Sequence, residues 1–428
     1  MRSLGMRSHR ARVWSFVLCG VFASTAQAAE PPSRVALKAA HVVDVEHGTL
    51  FAGHYVLVDG TKIAGIADTV PAGYEVRDLG DATLLPGLID AHTHLLANAD
   101  DDYTAMLLKK SVARRALDGA GNARKTLMAG FTTVRDVESE GAGYADVDLR
   151  DAIAAGIVEG PRMRVATRGI AAVGNYLPFD IAWDRDFPRG SQTISGVEDA
   201  RRAVREQLGN GADLIKVYAD WDHPTLDPDE LRTIVAEARK ANRQVAAHAT
   251  TPQGIRNAVD AGVATIEHGF HADRAALEDM KAHDTWLVPT LIPWRNGIAH
   301  AKDAAEREHV QQLYNGLLTN LRMARDMGIR IGAGSDASDT AMHGANAQEL
   351  LAMHEAGLSN AEVLRAATLS NATLMGLDRE IGTLASGKLA DVVAVQGNPL
   401  DDLHALERVV FVMKEGAIAR DDATQPRR

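Results

Sequence analysis

Cysteine is almost missing from this chain. Cys19 is the only one in 428 residues, which excludes a disulfide scaffold and a thiolate metal site. Runs of basic residues are missing too, and the formal net charge is −11. That balance argues against nucleic acid or an anionic membrane as partner. No apolar run reaches the roughly 20 residues needed to span a bilayer. The longest, about Val13 to Ala23, follows a start carrying Arg2, Arg7, Arg10 and Arg12 and precedes Ala26-Gln27-Ala28. Basic start, short apolar stretch and small-x-small ending predict a cleaved signal peptide over residues 1–28, not a membrane anchor. Leu18 before Cys19 argues against a lipoprotein. Cleavage removes four arginines and no acid, taking the charge from −11 to −15. The mature chain is then expected to be exported, periplasmic or secreted, free of the membrane, and without any cysteine.

What the chain does have is two textures. Residues 29–83 and 380–428 read as short alternating strands, with Asp59-Gly60 as a hairpin turn. They are expected to join into one small β-sandwich domain built from both ends of the chain. Residues 84–379 alternate β-branched runs with amphipathic helical segments. The runs are LLPGLIDAHTH, FTTVRDV, PRMRVATRG, DLIKVYAD, QVAAHAT, ATIEHG, TWLVPTL and RIGAGSDAS. Ser195 with Glu198, Asp227-Pro228 with Glu230, and Ser359 with Glu362 read as capping boxes. Eight strands separated by helices predict an α/β fold with a parallel sheet closed as a (β/α)8 TIM-like barrel. The competing open doubly wound sheet should carry a Gly-rich phosphate turn after its first strand, and GLIDAHTH is not one. Gly169–Ile194 and Leu291–Asp303 read as long irregular connections, where substrate contacts are expected.

GLIDAHTHL carries His92 and His94 one residue apart. With 16 histidines in the chain, about 0.6 such pairs arise by chance, so the motif alone carries little weight. Other residues supply the rest. Lys216 lies among apolar neighbours in its strand, where a charge is costly. His248, His268 and Asp336 end the fifth, sixth and eighth runs. Singly, a strand histidine is ordinarily a hydrogen-bonded core residue, a buried lysine pairs with a carboxylate, and a strand-end aspartate caps a helix. Together, six ionisable residues at strand ends converge on the mouth where barrels place catalysis.

This ordered set resembles the amidohydrolase superfamily, as does the closing segment IGTLASGKLADVVAVQGNPL. The resemblance runs from about Val35 to Ala417. It implies two divalent metal ions, usually Zn2+, with His92, His94 and Asp336 on the more buried ion and His248 and His268 on the outer one. Lys216 would bridge both as a carbamate formed with CO2, since an ammonium has three donors and no acceptor. A hydroxide shared by the two ions would be the nucleophile. Asp336 would take its proton and return it to the leaving nitrogen as the catalytic acid and base. The alternative is a mononuclear site in which unmodified Lys216 pairs with Asp336.

The subgroup is suggested by Lys216-Val217-Tyr218. The resemblance is to hydrolases of Xaa-Pro and Xaa-Arg dipeptides and of N-acyl amino acids, related to imidazolonepropionases. There, a tyrosine so placed lies near the substrate carboxylate. His271 in EHGFHAD and His343 in AMHGAN are further substrate-binding candidates. The chain departs from the Gly-Gly-His found in many relatives after the third strand. It reads AAVGNYLPF, placing Asn175 and Tyr176 there, and Tyr176, Phe179 or Trp183 could stack on an aromatic acyl group. The chain resembles bacterial ochratoxin-hydrolysing amidohydrolases. The expected activity is therefore zinc-dependent hydrolysis of an amide in N-acyl amino acids or dipeptides with a free carboxylate. It would include ochratoxin A, giving phenylalanine and ochratoxin alpha. The rival readings are a cyclic-amide hydrolase (hydantoinase- or imidazolonepropionase-like) and a non-catalytic periplasmic metal- or peptide-binding protein. The resemblance also implies a homo-oligomer, as large as an octamer.

Overall fold

A computed structural model describes residues 34–422 apart from 101, 177, 180 and 183. The predicted signal peptide and Trp183 lie outside them. Among the described residues, no helix is long and apolar enough to cross a membrane.

Two antiparallel-rich sheets come from the chain ends. One is ordered Lys62–Ala67, Tyr55–Asp59, Arg34–Lys38, Glu75–Asp78. In the other, Val392–Gln396 from the C-terminal part pairs antiparallel with Ala82–Pro86 from the N-terminal part. Leu37, Val56 and Val58 of the first sheet and Leu84, Val392 and Phe411 of the second share one apolar cluster. Burying each such side chain contributes about 1.5–3 kcal/mol. The two-residue turn Gly60-Thr61 joins Asp59 to Lys62, with Gly60 at φ +59°.

The middle of the chain supplies parallel strands. Arg162–Val165 pairs with Phe131–Asp136, which pairs with Leu88–Thr93. Gln192–Ile194, Ile170–Ala172, Ile215–Tyr218, Val245–Ala249, Thr265–His268 and Trp286–Val288 follow in a second parallel set. Asp213 N donates to Val165 O at 2.8 Å, linking the two sets. Helices cover the strands, so their runs are buried on both faces. Only Gly87 separates Ala82–Pro86 from Leu88–Thr93, and a Cβ there would lie 2.1 Å from Thr132 Oγ1. Residues 83 and 84, at the expected boundary, lie within Ala82–Pro86, and the chain passes from one sheet to the next at Gly87. The described residues form one compact unit.

Several local expectations shift. The eighth run is not a regular strand. It touches its neighbours through single parallel bridges, Leu287 with Ile331 and Thr93 with Ala337. Backbone bonds still run to both neighbours, from Ala91 N to Ala333 O, His94 N to Ala337 O, Leu287 N to Arg330 O and Gly332 N to Leu287 O, and side chains add to them. Asn371 Oδ1 accepts from Ala333 N at 3.0 Å, and Nδ2 donates to Ile89 O and Ala333 O at 2.7 and 2.8 Å. Asp90 likewise accepts from Ser335 N and His92 N. The third run breaks after Val165 and resumes at Ile170. Ser195 does not cap its helix: Gly196, at φ +86°, is the N-cap of Val197–Gly209. Glu230, which the Asp227 box uses, also accepts from Gly196 N. The Ser359 box forms with Glu362. Leu291–Asp303 is mostly helix, Ile292–His300, started by Pro293 in its first turn.

Candidate metal centre and substrate cavity

The carboxyl ends of the parallel strands bring five of the six expected ligands to one cavity with Asp336 beside them. His92, His94, Lys216, His248, His268 and Asp336 all line a space of about 300 Å3. Period-two alternation puts His92 and His94 on one face, and their rings lie 5.2 Å apart. The register sets Tyr218 opposite His248 and Ala249 opposite His268. The His248 and His268 rings come within 4.6 Å, and those of His92 and His268 within 5.1 Å. Asp336 Oδ1 is 3.1 Å from His94 Nε2 and 3.5 Å from His92 Nε2, and Oδ2 is 4.0 Å from His268 Nδ1. Donor atoms of His92, His94 and Asp336 all lie within 4.8 Å of one another.

The hydrogen bonds leave lone pairs facing inward. His92 Nδ1 lies 2.7 Å from Glu267 Oε2, so it carries the proton, and Nε2 is buried without a partner. Thr290 donates its hydroxyl proton to Pro289 O, so its oxygen accepts from His268 Nδ1 at 2.6 Å. His248 Nε2 is buried and unpartnered as well. Orphaned buried acceptors are costly, and a divalent cation is a group that both of these could ligate. The residues present fit divalent metal.

Electrostatics agree. Burial, then Lys216, holds His92 neutral, with its pKa well below the ordinary value. Burial with neighbouring His268 and Lys216 does the same to His248, and burial with His92 and Lys216 to His268. Burial opposes protonation of His94, yet Glu140 and Asp336 outweigh it and lift the ring to about 10. Burial raises Asp336, but the facing His92 and His94 rings outweigh it and keep the carboxyl ionised. Lys216 is lowered chiefly by burial, which favours the free amine.

Backbone strain gathers at the same place. Asp336, His268, Thr290 and Glu140 adopt φ of +54°, +73°, +50° and +52°. Left-handed conformations in non-glycine residues cost about 1–3 kcal/mol each and persist where function requires the geometry. At Asp336 the backbone N–H is fixed on His92 O at 2.7 Å. Gly334 lets that segment close in, since a Cβ there would lie 2.6 Å from His92 Cβ.

The substrate-binding candidates divide. Tyr176 and Tyr218 line the metal cavity. Their hydroxyls are engaged: both donate to Glu138 Oε2, and Tyr176 lies 3.3 Å from Glu140 Oε2. Tyr218 therefore does not stand free to meet a substrate carboxylate, and Tyr176 presents its ring beside an occupied hydroxyl. His271 lines a second, outer cavity of about 800 Å3. His343 lies behind the wall, its Nε2 donating to Ala97 O at 2.8 Å, and it lines a separate cavity beside Arg124 and Gln348. Asn175 and half-exposed Phe179 line the outer cavity.

Sequence reasoning missed three groups. Glu138 and Glu140 form a carboxylate pair with Tyr103, whose hydroxyl donates to Glu140 at 2.7 Å. Burial, then Glu140, raises Glu138 to about 7. Their two-residue spacing at the end of the second strand was the available signal. Glu267 and Arg135 form a buried pair beneath His92. Trp221, Phe270 and Trp294 stand between the two cavities and line both. Trp221 and Phe270 fall in loops and Trp294 in the first turn of Ile292–His300, each at a different distance from its strand, so spacing carried no signal for them.

Residues 83–419 match the model of the Amidohydrolase family. The chain is 30% identical over 380 residues to an ochratoxinase from Aspergillus niger, covering 80% of this chain and 77% of that protein. A prolidase crystallised with N-methylphosphonate-L-proline superposes with a TM-score of 0.83 at 30% identity, over 91% of this chain and all of that one. A Xaa-Pro dipeptidase with bound methionine gives 0.82 at 29% identity, over 90% and 99% of the two chains. With its histidines, lysine and aspartate gathered at one mouth, the chain belongs to the amidohydrolase family and is a metal-dependent amide-bond hydrolase.

Proposed function

We propose that this enzyme hydrolyses the amide of N-acyl amino acids and dipeptides with a free carboxylate, favouring flat aromatic acyl groups such as that of ochratoxin A. The observation that carries the reading is the pair of cavities. The ligand cluster sits in a pocket of about 300 Å3, sized for an amino acid, and this opens past Trp221, Phe270 and Trp294 into about 800 Å3 walled by aromatics. The similarity to an ochratoxinase and to dipeptidases supports both halves. In this reading the parallel segments close as a (β/α)8 barrel with the site at its carboxyl-end mouth.

His92, His94 and Asp336 would hold one zinc ion, and His248 and His268 the other. Lys216, buried and favouring the free amine, would add to CO2 and bridge the two as a carbamate. When bound, divalent zinc supplies Lewis acidity towards the carbonyl and acidifies water. Asp336 Oδ2 faces the cavity ionised; it accepts the proton of the attacking water and delivers it to the leaving nitrogen. The aromatic wall holds the acyl group and keeps water off the scissile bond. Glu138, Glu140 and their tyrosines shape the end of the cavity where the amino-acid part lies.

The test is hydrolysis of Xaa-Pro, Xaa-Arg and Xaa-Phe dipeptides, N-acyl-phenylalanines including ochratoxin A, and a hydantoin, with zinc and after chelation. Zinc-dependent cleavage of the open-chain amides is expected. Ring-opening alone would move the enzyme to the cyclic-amide hydrolases. Absence of all turnover in zinc-loaded protein would refute the reading.

A further inference from the structure

A buried ion pair lies behind the metal ligands, and none of the chemistry above uses it. Arg135 is 2% exposed and Glu267 wholly buried. The guanidinium donates from Nε to Ala91 O at 2.5 Å, from Nη1 to Thr265 Oγ1 at 3.2 Å, and from Nη2 to Glu267 Oε1 at 2.7 Å. Glu267 Oε1 also accepts from the Thr265 hydroxyl. The other oxygen, Oε2, accepts from His92 Nδ1 at 2.7 Å. With one oxygen held by Arg135 and Thr265 and the other by His92, the carboxylate cannot rotate. Ala91 immediately precedes His92, so the same guanidinium also fixes the backbone from which the ligand extends. Arg135 thus grips His92 from two directions.

Buried ion pairs are a poor device for stability, because desolvation consumes most of the Coulombic gain. Two strands 132 residues apart in sequence nevertheless supply this one. We propose that Arg135 is a positioning residue for the metal centre. Acting through Glu267, it sets the Nδ1–H tautomer and ring orientation of His92, and so aims the unpartnered Nε2 lone pair at a divalent cation. Outer partners of metal-bound histidines are worth about 10–100-fold in metal affinity. An isolated carboxylate could supply the hydrogen bond. Only the clamped one fixes its direction.

The fold also offers a way to test the clamp chemically. A cavity of about 290 Å3 at the amino ends of the strands is lined by Arg135, Arg164, Asn242 and Gln244. Truncating Arg135 would join its vacated space to that cavity, leaving room for a methylguanidinium ion. This inference concerns metal binding alone, so it stands or falls independently of the substrate.

The experiment measures zinc affinity of the full chain by competition with a chromophoric chelator, together with the Tm of the metal-free protein. Glu267→Gln and Arg135→Ala are each expected to weaken zinc binding about 10–100-fold. The double variant should be weakened by far less than the product of the two single effects, because they share the Arg135–Glu267–His92 route. Millimolar methylguanidinium should restore binding to Arg135→Ala and leave the wild type and Glu267→Gln unchanged. A residue serving only packing would lower the Tm without this pattern of loss and rescue. Arg135→Lys, which keeps the charge but not the fork, should fall between wild type and Arg135→Ala. If Arg135→Ala does not fold, Arg135→Lys and Glu267→Gln decide the matter. Zinc affinity within twofold of wild type in either would overturn the proposal.

Discussion

Trp294→Ala gives the sharpest check on the aromatic cavity. Trp294 stands in the first turn of Ile292–His300, partly buried, edge-on to Phe270 with ring centroids 5.0 Å apart. Across from this pair is Trp221, stacked on Tyr218 at 15° and 5.3 Å and held through Nε1 on Asn175 O at 2.9 Å. A flat acyl group entering between them loses one wall when Trp294 is truncated. An aromatic pair is worth about 0.5–1.5 kcal/mol beyond area burial. Uncovering about 50 Å2 of apolar ring surface costs roughly another 1.2 kcal/mol at 25 cal/mol per Å2. Together these predict about 2 kcal/mol, or a roughly 20–30-fold rise in KM. Trp294 touches none of the ligands named above, so kcat should hardly move. The assay compares N-naphthoyl-phenylalanine with N-acetyl-phenylalanine in both enzymes. The naphthoyl substrate should show the full rise and the acetyl substrate less than threefold. An equal change in both, or a loss confined to kcat, would refute an acyl-binding role for this wall.

Other outcomes follow from particular contacts. Asp336→Asn should retain zinc through the histidines yet lose at least about 100-fold in kcat, the usual worth of a positioned proton carrier; full turnover with zinc bound would remove that role. Asn371→Ala, which strips Ala333 N–H and Ile89 O of this buried partner while Ala333 O keeps Ala91 N at 2.9 Å, should cost about 2 kcal/mol or more, since each orphaned group costs roughly 1–3. Denaturant titration checks it, and a loss below 1 kcal/mol would show that water fills the gap. His343 is held neutral by burial, which lowers its pKa from 6.5 to about 4. The unfolded chain therefore binds the extra proton first, and stability falls as pH drops from about 6.5 towards 4, by up to roughly 3 kcal/mol. His343→Gln should flatten that limb of a Tm-against-pH curve; an unchanged slope would place the acid sensitivity elsewhere.

How much could be read from the sequence depends on how each residue reaches the site. Ligands carried on strands were legible, because period-two alternation and strand order place His92, His94, Lys216, His248 and His268 without knowledge of packing. Asp336 was legible by position, although the run preceding it is not a regular strand and meets its neighbours through isolated bridges. Asp90 and Asn371 add side-chain hydrogen bonds to the backbone bonds of that run, and no backbone pattern records them. Substrate contacts were harder. Tyr218 was correctly aimed at the cavity, but Glu138 holds its hydroxyl, and a carboxylate from a neighbouring strand cannot be inferred from spacing along one strand. His343 falls close to Asp336 in sequence yet turns its ring onto Ala97 O.

The charges around the cluster bear on why its residue types read as a metal site. Asp336, Glu140, Glu138 and Glu267 surround three neutral imidazoles, and in a low-dielectric interior such an excess of carboxylates is tolerated only when a cation offsets it. Arg135 offsets Glu267, and burial with Glu140 pushes Glu138 towards the protonated form. Asp336, partly offset by Lys216, and Glu140 remain, both facing His94, and they favour a proton on the ring whose Nε2 is the expected ligand atom. A divalent cation held by His94 Nε2 would take the place of a proton there and would offset the facing Asp336. Zinc binding through His94 should therefore release a proton near neutral pH. The aromatic walls beside the cluster carry no charge that calls for one particular ligand, which is why residue types alone say so much about the metal and so little about what lies next to it.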